Sequence, residues 1–94
     1  MESIKALLES EELNRTVTAQ GWVRNRRGNA YVNFVALNDG STIHAIQVVL
    51  DMEKFTDEEL RELTVGSAIS IEGELTESEG KGQRIEIKAT SVRV

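Results

Sequence analysis

Residues 21–34 read GWVRNRRGNAYVNF. Three guanidinium groups, on Arg24, Arg26 and Arg27, fall within four positions, and an aromatic ring, Phe34, follows one strand later. Guanidinium groups hold phosphates through several N–H donors at once. An exposed aromatic ring is a platform for an unpaired base. Further along, Gln47 carries an amide that can pair with a base edge, and Glu86 a carboxylate that accepts from a base N–H. Together these groups recognise without making or breaking bonds. Other chemistries lack parts. His44 is the single histidine and there is no cysteine, so neither a histidine-rich nor a thiolate metal site has ligands. No serine has a recognisable histidine partner for nucleophilic attack. Asp57, Glu58 and Glu59 fall in the first turn of an expected helix, where its dipole favours them. Gly80-Lys81-Gly82 is too short for a phosphate-binding loop.

The charge is segregated. The 94 residues are 39% hydrophobic and 29% charged, with a formal charge of -5. That composition fits one small soluble domain and argues against indiscriminate binding of nucleic acid. Acids gather at Glu9 to Glu12, Glu53 to Glu62 and Glu72 to Glu79, while Arg15 to Asn38 holds four arginines and no acid. A local basic face therefore remains open to a polyanion. No apolar run is long enough to cross a membrane. MESIKALLESEEL lacks the basic and apolar regions of a signal peptide, which leads us to expect a cytoplasmic chain without membrane partners.

Which elements position these groups? Ser3 to Ser10 reads as a short helix, capped by Ser3, with Ile4, Leu7 and Leu8 on one stripe. The period then changes to two. Val17, Ala19, Gly21 and Val23 alternate with polar or exposed residues in a first strand. A Gly28-Asn29 turn leads to a second strand from about Tyr31 to Asn38, and Asn38-Asp39-Gly40-Ser41 to a third, about Ile43 to Leu50. Residues 55–65 read as a second helix, with a Thr56/Glu59 capping box, a Phe55/Leu60 staple and Gly66 at its end. A fourth strand spans Ser67 to Thr76. After the Glu79-Gly80-Lys81-Gly82 turn a fifth runs from Gln83 to about Ala89, continuing loosely to Val94. Five strands, a helix between the third and fourth, and an N-terminal helix give an all-β Greek-key barrel of OB-fold type. We expect one domain over 1–94, with 1–13 a helical extension and 14–94 the barrel. Its expected core is Val17, Ala19, Val23, Val35, Leu37, Ile46, Val48, Ile69, Ile71, Ile85 and Ile87.

Alternation then assigns the other face. With Val35 and Leu37 inside, Phe34 points out; with Ile46 and Val48 inside, Gln47 points out; with Ile85 and Ile87 inside, Glu86 points out; with Val23 inside, Trp22 and Arg24 point out. The outer surface of the first three strands is where OB-folds usually hold nucleic acids. Each residue also has a plainer reading. Phe34 fits under the N-terminal helix, Gln47 and Glu86 fit a solvated strand face, and the arginines fit an edge that discourages strand pairing.

The motifs GWVRNRR, VNFVALNDGS, IQVV, GELTESEGKGQ and IEIKA resemble the N-terminal anticodon-binding domain of asparaginyl-tRNA synthetase. The resemblance covers about Thr16 to Val94, and the NDGS and ESEGKGQ segments look more like the asparaginyl than the aspartyl branch. It implies a tRNA anticodon stem-loop as partner, with Phe34 stacking on the central anticodon uridine. By the same resemblance Gln47 reads that base's edge, Glu86 completes its recognition, and Arg24, Arg26 and Arg27 follow the loop backbone. Catalysis, ATP and magnesium would belong to a separate C-terminal domain that this chain does not contain, so no cofactor and no catalytic activity are expected here. The chain is then an excised domain, a free-standing paralogue or an engineered OB scaffold. Ala30 and Ala45 stand where the family is expected to carry polar side chains. Two other functions remain in view: a protein-binding OB module, natural or engineered, and a sequence-neutral single-strand binder, against which the net charge speaks.

Overall fold

In chain order the elements are α1 (Ile4–Leu8), β1 (Arg15–Gly28), β2 (Val32–Asn38), β3 (Ile46–Asp51), β4 (Ala68–Glu77) and β5 (Ile85–Arg93). They are taken from a computed structural model that describes residues 2–78 and 85–94. The strands close into a barrel in the order β1-β2-β3-β5-β4. Every neighbouring pair is antiparallel except β3 and β5, whose parallel pairing completes the ring. This is the expected five-stranded OB barrel. The expected Glu79–Gly82 turn and the Gln83 start of the last strand lie outside the described residues.

All eleven residues expected inside are buried. The same cluster also takes in Ile4 and Leu7 of α1, Leu50, Leu75 and Ala89 of the strands, and Phe55, Leu60 and Leu63 of the β3–β4 connection. Each fully buried aliphatic side chain stabilises the fold by roughly 1.5–3 kcal/mol through lost water contact. The N-terminal helix therefore shares the barrel's core.

Three local departures from the sequence pattern matter for the surface. The first is a bulge in β1. Val23 pairs with Leu37, but Asn25, not Arg24, pairs with Ala36. One extra residue reverses the inside–outside parity of everything after it. Asn25 and Arg27 thereby share a face with Ala36 and Phe34, and Arg26 turns to the opposite side. No glycine or proline marks this bulge.

The second is a correction. The expected helix between strands three and four does not form; residues 57–62 make successive turns instead. The capping box does form: Thr56 N–H donates to Glu59 Oε1 at 3.0 Å, and Glu59 N–H to Thr56 Oγ1 at 3.1 Å. Beyond it, Leu60 N–H reaches Thr56 O at 3.3 Å, but Leu63 N–H takes Leu60 O at 3.1 Å, a tighter three-residue spacing. Leu60, Leu63 and Phe55 must all reach the barrel interior within this short connection, and that requirement outweighs helical propensity. Gly66, at φ 91°, ends the segment in the left-handed region that suits glycine.

The third lies between β2 and β3. Asn38 is buried, and its Nδ2 donates to Thr42 O at 3.0 Å and His44 O at 2.7 Å. This holds 42–44 out of the ladder, so β3 starts at Ile46 rather than Ile43. The loop also caps α1. Ile4 N–H donates to Asp39 Oδ2 at 3.1 Å, Lys5 N–H to Ser41 Oγ at 3.0 Å, and Ala6 N–H to Ser3 Oγ at 3.1 Å. The helix's first free N–H groups are satisfied by its own cap and by a loop more than thirty residues away.

Candidate nucleic-acid interface

Outward side chains of β1, β2 and β3 form one surface. Along β2 they are Phe34 and Ala36. Opposite them stand Arg27 and Asn25 on β1, and Val49 and Gln47 on β3. Gln47 in turn pairs with Glu86 on β5. Strand spacing of about 4.8 Å puts each step of this row within reach of a single base.

Arg27 lies over the Phe34 ring, its Cζ 4.9 Å from the ring centroid. The attraction is that of a cation for the negative face of an aromatic ring. Phe34 is half-buried and Arg27 exposed. Beside them is a pocket of about 140 Å³, lined among others by Asn25, Arg27, Phe34, Ala36, Ala45 and Gln47. Its floor is open because Ala36 and Ala45 carry only methyl groups. Gln47 is half-buried at its edge, and Glu86, one strand on, is 7% exposed. No described residue donates a hydrogen bond to the Glu86 carboxylate, so a donor arriving from a ligand meets an acceptor already largely out of bulk water.

The three arginines separate. Arg27 is in the pocket. Arg24, at the bulge, is exposed and donates from one guanidinium nitrogen to Ile43 O at 2.9 Å. Arg26 is half-buried on the other side of the strand. Its Nε donates to Asn33 Oδ1 at 3.1 Å, and Nη1 to Leu60 O at 2.7 Å and Leu63 O at 3.2 Å. It fastens the 56–66 connection to the barrel. Asn25 entered no reading of the sequence, because only the bulge brings it to this face. Ala45, where the resemblance led us to expect a polar side chain, lines the pocket with a methyl group only. The arrangement can hold a flat, edge-polar group against Phe34 with a cation beside it. Among the described residues no cluster of three or more His, Cys, Asp or Glu is placed to hold a metal ion. No helix of the described residues is long and apolar enough to cross a membrane.

Residues 17–94 match the family model for the tRNA anti-codon type of OB-fold nucleic acid binding domain. An asparagine–tRNA ligase of Parabacteroides distasonis is 50% identical across 100% of this chain, which corresponds to 21% of that protein. The chain thus spans about a fifth of the length of the curated relatives it matches. Among solved structures, the asparaginyl-tRNA synthetase of Entamoeba histolytica superposes with a TM-score of 0.77 at 26% identity, covering 94% of this chain and 22% of its own. The OBody AM3L15, solved bound to hen egg-white lysozyme, superposes with a TM-score of 0.80 over 100% of this chain and 92% of its own. Its identity is 19%, so that likeness concerns the fold.

Proposed function

The chain belongs to the family of OB-fold nucleic acid binding domains of the tRNA anti-codon type, and we propose that it is the anticodon-binding part of an asparagine–tRNA ligase. The observation that carries the proposal is the alignment of Arg27, Phe34, Gln47 and Glu86 across four adjacent strands on the outer barrel face. The half-identical ligase of Parabacteroides distasonis supports the choice of parent.

The bases of the anticodon loop splay outward, as single-stranded RNA does when it is read by sequence. The central uridine displaces the Arg27 guanidinium from the Phe34 ring and stacks there, which frees Arg27 for a phosphate. The Gln47 amide N–H donates to a uridine carbonyl. Glu86 accepts from the uridine N3–H, and cytidine has no hydrogen at that position. Arg27 and Arg24 meet the loop phosphates and supply the salt-dependent part of the affinity. Arg26 contributes from behind, by holding β1 against the 56–66 connection. The domain binds and orients; amino-acid activation with ATP and magnesium belongs to the parent's catalytic domain, and the place of work is the cytoplasm.

The test is a titration with an asparagine anticodon stem-loop (GUU) beside one whose central uridine is cytidine. We expect preference for uridine, weakened in Gln47→Ala and lost when Glu86→Ala is added. Equal binding to both would leave an electrostatic surface only. Absence of binding at low salt, with the barrel folded, would overturn the reading.

A further inference from the structure

The outward face does not end at the Phe34 pocket. Following β2 from Phe34 through Ala36 brings the same face to Asn38, opposite Trp22 on β1. Here lies a second cavity, of about 340 Å³, lined by Trp22, Arg24, Asn38, Thr42 and Ile43. Trp22 is 44% exposed and Ile43 84%. Together they place an apolar patch beside an arginine on the outer barrel face. The polar groups of the floor are already engaged. The Asn38 amide donates to Thr42 O and His44 O and accepts from Gly40 N–H at 2.7 Å. What remains available is an indole surface, an aliphatic wall and the Arg24 guanidinium, which has given one nitrogen to Ile43 O. No carboxylate lines the cavity.

We propose that this cavity is a second nucleotide subsite, in which a base lies against Trp22 and its phosphate meets Arg24. The inference rests on the anticodon-loop reading above. It is favoured over an apolar protein partner by the arginine at the mouth, by the lack of acids from Arg15 to Asn38, and by continuity with the Phe34 surface. Indole and guanidinium beside each other are the two groups that bind a single strand without reading its sequence. The two sites are four residues apart along β2, about 13 Å at the rise of a strand. A stacked step is only about 3.4 Å. The nucleotide on Trp22 is therefore not the immediate stacked neighbour of the one on Phe34, and the loop must be drawn out between them.

Trp22 is the only tryptophan, so the unmodified chain reports on this subsite by itself. Its emission is followed while the asparagine anticodon stem-loop is added, with fluorescence anisotropy of labelled RNA measuring binding in parallel. Abasic sites are then scanned along the loop. We expect saturable quenching with the midpoint of the anisotropy curve. One loop position not adjacent to the central uridine should abolish the quenching when abasic, with binding about tenfold weaker. Binding with intact uridine preference but no quenching, or quenching that survives every abasic substitution, would overturn the subsite and leave the anticodon reading standing. Emission that changes with protein concentration alone, with a dimer in sedimentation, would assign the face to a second copy and also overturn it. Loss of all RNA binding would remove both readings together.

Discussion

At the scale of single residues, position on the strand decides what an arginine does. Arg27 and Arg26 are neighbours in sequence, yet one lies over Phe34 and the other is bound by the carbonyls of Leu60 and Leu63. Their truncations should separate accordingly. Arg27→Ala should flatten the dependence of log affinity on log salt by roughly one unit and weaken all anticodons about equally. A loss confined to one anticodon would contradict a phosphate role. Arg26→Ala should instead appear in urea unfolding, at a cost of about 1–3 kcal/mol, because half-buried carbonyls lose a charged donor. An unchanged unfolding midpoint would sink its bracing role. Phe34→Ala removes the stacking platform and should cost roughly 1–3 kcal/mol of RNA binding. The ring is half-buried and on the outer face, so the unfolding midpoint should move much less than in Arg26→Ala. Affinity that stays constant would show that no base stacks there.

Elements show what was legible in the chain and what was not. The core was legible because strand period and burial are one signal: Val35 and Leu37, Ile46 and Val48, Ile85 and Ile87 each fix their neighbours' direction. Phe34 and Gln47 inherited their outward direction from that pattern. The β1 bulge was not legible, since Arg24 is an ordinary strand residue and only pairing with β2 shows that it is the extra one. The 56–66 connection was half legible. Its capping box is present, but the helix it should start gives way to the need to bury Phe55, Leu60 and Leu63 together. The NDGS segment was read as a turn; its second task, capping α1, is a contact across thirty-five positions that no local pattern carries. That cap yields a pH prediction. Desolvation raises the Asp39 pKa, but hydrogen bonds from Ser41 and from the Ile4 N–H outweigh it, and the net shift is downward. A carboxylate with a lowered folded pKa stabilises the fold above its unfolded pKa, about 3.9, and that contribution is lost as pH falls through the folded value. Asp39→Asn keeps one acceptor oxygen, so it should destabilise at pH 7 by less than the roughly 1 kcal/mol of a cap replaced by Ala. Its difference from the parent chain should vanish in strongly acidic solution. A difference that stays constant from pH 7 to pH 2 would show that the carboxylate charge contributes nothing.

For the molecule as a whole, an acidic body carries a basic face, and geometry decides how far the two interfere. The formal charge is -5, and the principal extents are 33 × 24 × 23 Å. At 0.15 M salt a charge is felt over about 8 Å, and at 0.01 M over about 30 Å. The molecule is thus several screening lengths across in one condition and about one in the other. The acids of the 53–62 segment belong to the connection that Arg26 holds on the side of β1 away from Phe34. At physiological salt, screening over about 8 Å should keep them from opposing a polyanion arriving at Arg27 and Arg24. At low salt their field reaches it and slows association. Asp57 and Glu58 are exposed, and neither side chain takes part in the Thr56–Glu59 capping box, so Asp57→Asn with Glu58→Gln removes charge while keeping the turn. The doubly substituted chain should associate with the anticodon stem-loop about two- to threefold faster at 0.01 M salt and at the parent rate at 0.15 M, by stopped-flow anisotropy. Dissociation and uridine preference should not change, because neither residue lines the Phe34 pocket or the Trp22 cavity. An equal gain at both salts would mean that the acids lie within direct reach of the RNA. The bound stem would then have to wrap past the β3–β4 connection rather than leave along the Trp22 end of the barrel.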